Sequence, residues 1–361
     1  MSDNRVFNFS AGPSMLPLSV LRRAGAEITN YAGSGMSVME MSHRSKVFQA
    51  IFDETQAKFR RLMNVPEGYK VLFLQTGASG QFSMIPLNLM SLTGKADYAV
   101  TGNFSELAAK EAKKYGQVNI AADTSDCNHT RIPTQEELKL DGDAGYFYYC
   151  SNNTIYGTEW QYVPQTGKVP LVCDMSSDIM SRPVDVSKYG IIYAGAQKNM
   201  APAGLTVVVI REDLAGHELP CTPIMMNYKT MIDKDSMYNT PPCWCIYMLG
   251  LMLDWVEEQG GVAGIEQIKK AKAAMLYDTL DNSKLFTCPA LPGSRSDMNV
   301  AFRTGDAELD AKFVAEAAEA GFVNLKGHRK TGGMRASIYN AMPTEGVEKL
   351  CDFIRAFDKN N

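Results

Sequence analysis

Histidine is scarce, and what there is lies far apart: His43, His129, His217 and His328 show no local metal-binding spacing, so no metal is expected. Cys-x-x-Cys is absent as well. The eight cysteines are scattered from Cys127 to Cys351, and the closest pair is Cys243-Trp244-Cys245. In a reducing compartment they read as small buried hydrophobes rather than as a disulfide framework. Neither sign of charge dominates: 36 Lys and Arg stand against 40 Asp and Glu, a net charge of −4. The basic stripe that neutralises a phosphate backbone is missing, which argues against nucleic acid as a partner. Long apolar runs are missing too. The longest, near Leu205–Ile210 and Cys245–Leu253, fall far short of the roughly 18–20 residues that span a bilayer, so no membrane association is expected. The chain begins Met1-Ser2-Asp3-Asn4, polar and acidic rather than basic then apolar, and a cytoplasmic location is the expectation. What remains is a 361-residue chain with 45% apolar and 21% charged residues, ordinary for a globular protein of two domains.

Val47, Phe48, Ile51, Phe52, Phe59, Leu62 and Met63 recur at helical spacing and predict an amphipathic helix. Val71-Leu72-Phe73-Leu74 then has the character of a buried strand. Thr76-Gly77-Ala78-Ser79-Gly80 follows as a turn into a helix beginning near Gln81, the opening of a βαβ unit. Further strands are predicted near Tyr98–Thr101, Val118–Ala121, Tyr146–Cys150, Leu171–Cys173, Ile191–Ala194 and Thr206–Ile210. A helix is predicted through Glu106–Tyr115, and Thr134-Gln135-Glu136-Glu137 fits a capping box at another helix start. This alternation argues for an α/β fold whose mostly parallel sheet is flanked by helices on both faces. Past Gly260-Gly261 come a long helix through Leu280, a strand at Asn299–Arg303, a helix over Leu309–Ala320, a strand near Met334–Ile338 and a last helix after Thr344. The expected organisation is an N-terminal segment (1–15), a large cofactor-binding domain (16–260) and a smaller α+β C-terminal domain (261–361).

Three local features carry chemistry. The Thr76–Gly80 turn would present backbone N–H groups at a helix N-terminus, a ready phosphate site, although a tight turn without ligand explains it equally well. It matches neither Gly-x-Gly-x-x-Gly nor the Gly-Lys-Ser/Thr of nucleoside-triphosphate loops. Asp174 closes the apolar run Leu171-Val172-Cys173, at the strand end where open α/β sheets bind ligands; a turn-capping Asp is the plain alternative. Lys198, in Gly195-Ala196-Gln197-Lys198-Asn199, follows the next strand among small residues. Burial there would favour a neutral amine able to form a Schiff base, against the plain reading of a solvated loop lysine. Together, a phosphate cup, a strand-end Asp and a strand-end Lys meet the needs of pyridoxal phosphate: phosphate anchor, partner for a protonated pyridine nitrogen, and amine for the aldehyde.

The chain resembles the phosphoserine aminotransferases, class V members of the fold-type-I pyridoxal-phosphate aminotransferase family. The motifs run the full length: Phe7-Asn8-Phe9-Ser10-Ala11-Gly12-Pro13, Met39-Glu40-Met41-Ser42-His43-Arg44, Gly80-Gln81-Phe82, Gly195-Ala196-Gln197-Lys198-Asn199, Tyr238-Asn239-Thr240-Pro241-Pro242, Gly327-His328-Arg329 and Gly332-Gly333-Met334-Arg335-Ala336-Ser337-Ile338-Tyr339-Asn340-Ala341. The resemblance implies that Lys198 holds the cofactor as a Schiff base and Asp174 pairs with its pyridinium nitrogen. Ala78, Ser79 and Gln197 would bind its phosphate, with Asn239 and Thr240 reaching in from the partner subunit of a homodimer. Thr154 would bond the ring oxygen and Phe104 would stack on the ring. Arg335 would clamp the substrate α-carboxylate, and His43, Arg44, His328 and Arg329 would receive a distal dianion, the last two across the dimer. The implied reaction moves an amino group from L-glutamate to 3-phosphohydroxypyruvate, giving 2-oxoglutarate and O-phospho-L-serine in serine biosynthesis. Phe104 stands where many members have Trp, and Ser79 where some have Arg. The rival readings are other class V reactions, whose substrates lack a distal dianion, and a non-catalytic cofactor-binding protein.

Overall fold

Seven of the strands join into one sheet in the computed structural model, which describes residues 5–361. The first four positions of the expected N-terminal segment lie outside the described residues. From edge to edge the strands are Tyr69–Leu74, Thr206–Arg211, Ile191–Gly195, Leu171–Asp174, Phe147–Cys150, Lys95–Val100 and Gln117–Asp123. Thr206–Arg211 runs antiparallel to both its neighbours, and the other pairings are parallel. Because helices cover both faces, the central strands are buried on both sides and read as continuous apolar runs. Their side chains divide with period two. Val71, Phe73, Cys173, Ile192, Ala194, Val207 and Val209 enter one core, while Leu72, Leu74, Val172, Ile191, Tyr193, Val208 and Ile210 enter the other.

Helices Lys46–Leu62 and Cys243–Glu258 pack together in the first core, and Gly77–Leu89 packs with Asn103–Ala112 in the second. Cys243–Glu258 was invisible to a periodicity reading because it is buried nearly all round and has no polar stripe. Two boundaries also differ from expectation. The helix expected near Gln81 begins at Gly77, closed by the Gln81 side chain reaching back to Thr76 Oγ1 at 2.8 Å. The capping box at Thr134 forms, yet it opens a single 3-10 turn, Gln135–Glu137. The sheet edge claims the chain just beyond: Lys139 N donates to Ala121 O at 2.8 Å, and Asn119 Nδ2 donates to Lys139 O at 2.9 Å. The helix read through Glu106–Tyr115 starts earlier, at Asn103.

A third core gathers Phe9, Leu276, Phe286, Phe302, Phe313 and Ile354 with their neighbours. Strands Asn299–Phe302 and Met334–Ser337 pair antiparallel there, and Phe7–Asn8 pairs with Phe322–Val323. Helix Gly261–Asp281 joins the cores, with Val262 and Ile265 in the first and Ala273 onward in the third. All eight cysteines are unpaired; Cys150, Cys173 and Cys351 are buried, but Cys221 is exposed, so the buried-hydrophobe reading holds only in part. No helix among the described residues is long and apolar enough to cross a membrane.

Candidate active site

The carboxyl ends of the parallel strands open onto one cavity of about 240 Å³. Ala78, Ser79, Phe104, Thr154, Asp174, Gln197 and Lys198, all expected at the cofactor, line it. They arrive from several elements. Ala78 and Ser79 occupy the first turn of helix Gly77–Leu89, whose leading N–H groups have no intrahelical partner. Gly80 lets that turn close: a Cβ there would lie 2.6 Å from Thr76 Cβ. Gln81 holds Thr76 from behind and is itself held by the Tyr228 hydroxyl, which donates to Gln81 Oε1 at 2.5 Å.

Asp174 ends its strand facing this space and is 3% exposed. Ser176 N donates to Oδ1 at 2.8 Å and the Tyr193 hydroxyl to Oδ2 at 2.9 Å. Burial pushes the carboxyl above its usual range; the Ser176 donors, the Lys198 charge and the Tyr193 hydroxyl counter that only in part. A cationic ring N–H placed against Asp174 would complete what the protein leaves partly offset. Lys198 Nζ donates to Thr154 Oγ1 at 2.9 Å and lies 5.5 Å from the Phe104 ring centroid. Its backbone is strapped down by the N-terminal motif. Ser14 N donates to Gln197 O at 3.0 Å and Ser14 Oγ to Lys198 O, while Tyr339 Oη donates to Ala11 O at 2.7 Å. Gly12, at φ +139°, sits in a conformation that favours glycine, and a Cβ there would come 3.3 Å from Lys198 Cγ.

Arg335 approaches from the third core, on strand Met334–Ser337. Its Nη1 donates to Thr154 O at 3.4 Å, while its Nε is buried with no hydrogen-bond partner among the described residues. Burial holds the guanidinium below its ordinary pKa, so an incoming carboxylate is favoured. The donor set therefore fits pyridoxal phosphate and an α-carboxylate beside it. His328 lies near this group, held below the usual imidazole value first by burial and then by the Arg335, Arg329 and Lys330 charges. Arg329 is exposed on the same loop.

His43, Arg44, Asn239 and Thr240 are not brought into the cavity of their own chain. His43 Nε2 is buried with no hydrogen-bond partner among the described residues and Arg44 is exposed, just ahead of helix Lys46–Leu62. Asn239 borders a separate hollow with Gln75 and Thr76, and the Gln75 side chain donates to Thr240 O. Sequence reasoning missed Tyr193, Ser176 and Asn152. Ser176 was recognisable as a small polar residue two positions after Asp174 and Asn152 as one just past strand Phe147–Cys150, whereas Tyr193 sits inside an apolar run and carried no signal.

A model of the class-V aminotransferases matches residues 6–350. Phosphoserine aminotransferases of Bacillus cereus and Pseudomonas aeruginosa are each 52% identical over 357 residues, covering 99% of both chains. Among solved structures, phosphoserine aminotransferase from Bacillus circulans subsp. alkalophilus superposes with a TM-score of 0.97 at 46% identity over 99% of both chains. The PLP-bound phosphoserine aminotransferase of Trichomonas vaginalis gives 0.94 at 40% identity, covering 97% of this chain and 100% of its own. Cavity, lysine, carboxylate and fold thus agree with full-length similarity: the chain belongs to the class-V aminotransferase family, alongside its phosphoserine aminotransferases.

Proposed function

We propose that this chain catalyses amino transfer between L-glutamate and 3-phosphohydroxypyruvate, giving 2-oxoglutarate and O-phospho-L-serine, as a step of serine biosynthesis. The observation that carries the reading is the pairing at Thr154. Its side chain receives the Lys198 amine and its carbonyl receives a half-buried guanidinium whose Nε has no hydrogen-bond partner among the described residues, so an amine and a carboxylate clamp converge on Thr154. Pyridoxal phosphate, when bound, supplies an aldehyde for the amino group and a protonated ring that accepts electrons.

The chain's own residues then do the following. Ala78, Ser79 and Gln197 would hold the cofactor phosphate, Phe104 would offer its face to the ring, and Asp174 would keep the ring nitrogen protonated. Arg335 binds the substrate α-carboxylate and so sets the direction in which the Cα–H bond points. The Lys198 amine, in its free form, would take the proton from the substrate Cα as general base. His43, Arg44, His328 and Arg329 receive the distal phosphate of one substrate and the γ-carboxylate of the other. The outlying position of Asn239, which borders a separate hollow, and of Thr240 next to it suits a homodimer with shared sites. We assign the enzyme to the cytoplasm. The test is direct assay of glutamate formation from O-phospho-L-serine and 2-oxoglutarate, with L-alanine and L-serine as alternative donors. Phosphoserine is the preferred donor on this reading; equal use of alanine would send the substrate assignment to another class V reaction.

A further inference from the structure

Asp174 is gripped from two sides, and one grip comes from the interior of the sheet. Tyr193 is its direct partner across the parallel pairing of Leu171–Asp174 with Ile191–Gly195. Its ring is fully buried, and its hydroxyl donates to Asp174 Oδ2 at 2.9 Å. The Tyr148 hydroxyl, also buried, lies 2.8 Å from the Tyr193 hydroxyl. A hydroxyl has one proton to give. Tyr193 gives its proton to the carboxylate, so Tyr148 must be the donor to Tyr193. The result is a one-way chain, Tyr148 to Tyr193 to Asp174, with Tyr148 steadied by a stacked Tyr98 ring at 4.8 Å between centroids. Packing alone does not call for these hydroxyls, because phenylalanine fills nearly the same volume in a core of this kind and brings no polar atom to satisfy.

We infer that Tyr193, backed by Tyr148, is a positioning residue that keeps the Asp174 carboxylate ionised and aimed into the cavity, so that the shared proton rests on the cofactor's ring nitrogen and not on Asp174. The inference rests on the cofactor reading of the site. Donors to a carboxylate favour its charged form, and chained hydroxyls polarise one another, so the terminal donor is stronger than a lone tyrosine. Burial pulls Asp174 the other way, and the Tyr193 hydroxyl is among the groups opposing it. Without that donor Asp174 becomes the better base and competes for the ring proton.

The test uses the full-length protein reconstituted with pyridoxal phosphate labelled with 15N in the ring, comparing wild type, Tyr193→Phe, Tyr148→Phe and Asp174→Asn. The readouts are the ring 15N chemical shift and the cofactor dissociation constant, with kcat and KM alongside. Wild type shows a protonated ring nitrogen. Tyr193→Phe shifts the signal toward the unprotonated value, weakens cofactor binding about tenfold and lowers kcat with little change in KM. Tyr148→Phe moves the same readouts in the same direction by less, and it carries the test if Tyr193→Phe does not fold. Folded variants with the wild-type 15N shift and affinity overturn this inference while leaving the site reading intact. An unprotonated ring in wild type, or wild-type binding by Asp174→Asn, overturns the reading of Asp174 and this inference with it.

Discussion

Thr154 meets Lys198 with its side chain and Arg335 with its backbone, so one residue joins the two basic groups of the proposed reaction. They should fail differently. Lys198→Ala retains the phosphate turn and Asp174, so it is expected to bind pyridoxal phosphate and to lose turnover; wild-type turnover in a glutamate-release assay would contradict the assignment. Arg335→Ala should cost about 3–5 kcal/mol in kcat/KM, as when a buried charge pair loses one partner. A loss of less than tenfold would show that the buried, unpartnered Nε has another purpose. Lys198 and Asp174 were legible in the sequence because each interrupts small or apolar residues at a strand end. Arg335 was legible through its glycine-rich, acid-poor surroundings. Tyr193 was not: in Ile191-Ile192-Tyr193-Ala194 nothing separates a hydroxyl with a task from a ring that fills space. Only the pairing across strands reveals it.

At the level of elements, the site depends on two segments meeting the sheet at fixed angles. One is the turn into helix Gly77–Leu89. Gly80→Ala would drive a Cβ to 2.6 Å from Thr76 Cβ, so the turn must open and its N–H groups must swing away from the proposed phosphate position. The expected result is weaker cofactor binding with near-normal kcat at saturating cofactor, measured by dialysis and activity titration. The other is the stretch after strand Met334–Ser337. Lys272, fully buried on helix Gly261–Asp281, directs Nζ at the carbonyls of Ile338, Tyr339, Asn340 and Met342, at 3.2, 2.9, 3.4 and 2.8 Å. Burial alone drives the amine toward neutrality, to about 7, but four acceptors exceed what a neutral amine can serve, and we take the group as the ammonium. Lys272→Met strands these carbonyls and should destabilise the fold by about 3–5 kcal/mol, read as a lower denaturation midpoint. An unchanged midpoint would contradict that accounting. The existence of these elements was legible from apolar periodicity, while their ends were not. Helix starts at Gly77 and Asn103 are fixed by side chains that reach back, Gln81 to Thr76 and Ser105 to the Gly102 backbone, which a hydropathy pattern does not register.

For the molecule as a whole, the three cores support a division that we propose as a large domain over residues 16–260 and a smaller one over 261–361, with the 1–15 segment serving both. The N-terminal strand Phe7–Asn8 belongs to the smaller core, while Ser14 binds beside Lys198 in the larger. Period and composition could not show that one helix, Gly261–Asp281, would be shared between cores, because the contacts that split it are distant in sequence. The proposed dimer with shared sites makes its own prediction. Mixing inactive Lys198→Ala with an inactive double variant at Asn239 and Thr240 should restore about a quarter of wild-type activity, since half the dimers are mixed and each has one intact site. No restoration would place Asn239 and Thr240 in their own chain's site. The central claim is amino transfer from a phosphorylated amino acid by a Lys198-bound cofactor, and its most direct measurement is the visible spectrum of the purified, cofactor-loaded protein. With O-phospho-L-serine or L-glutamate, added separately, the visible band of the bound cofactor should bleach in wild type and persist in Lys198→Ala. A wild-type band indifferent to both donors would contradict the account.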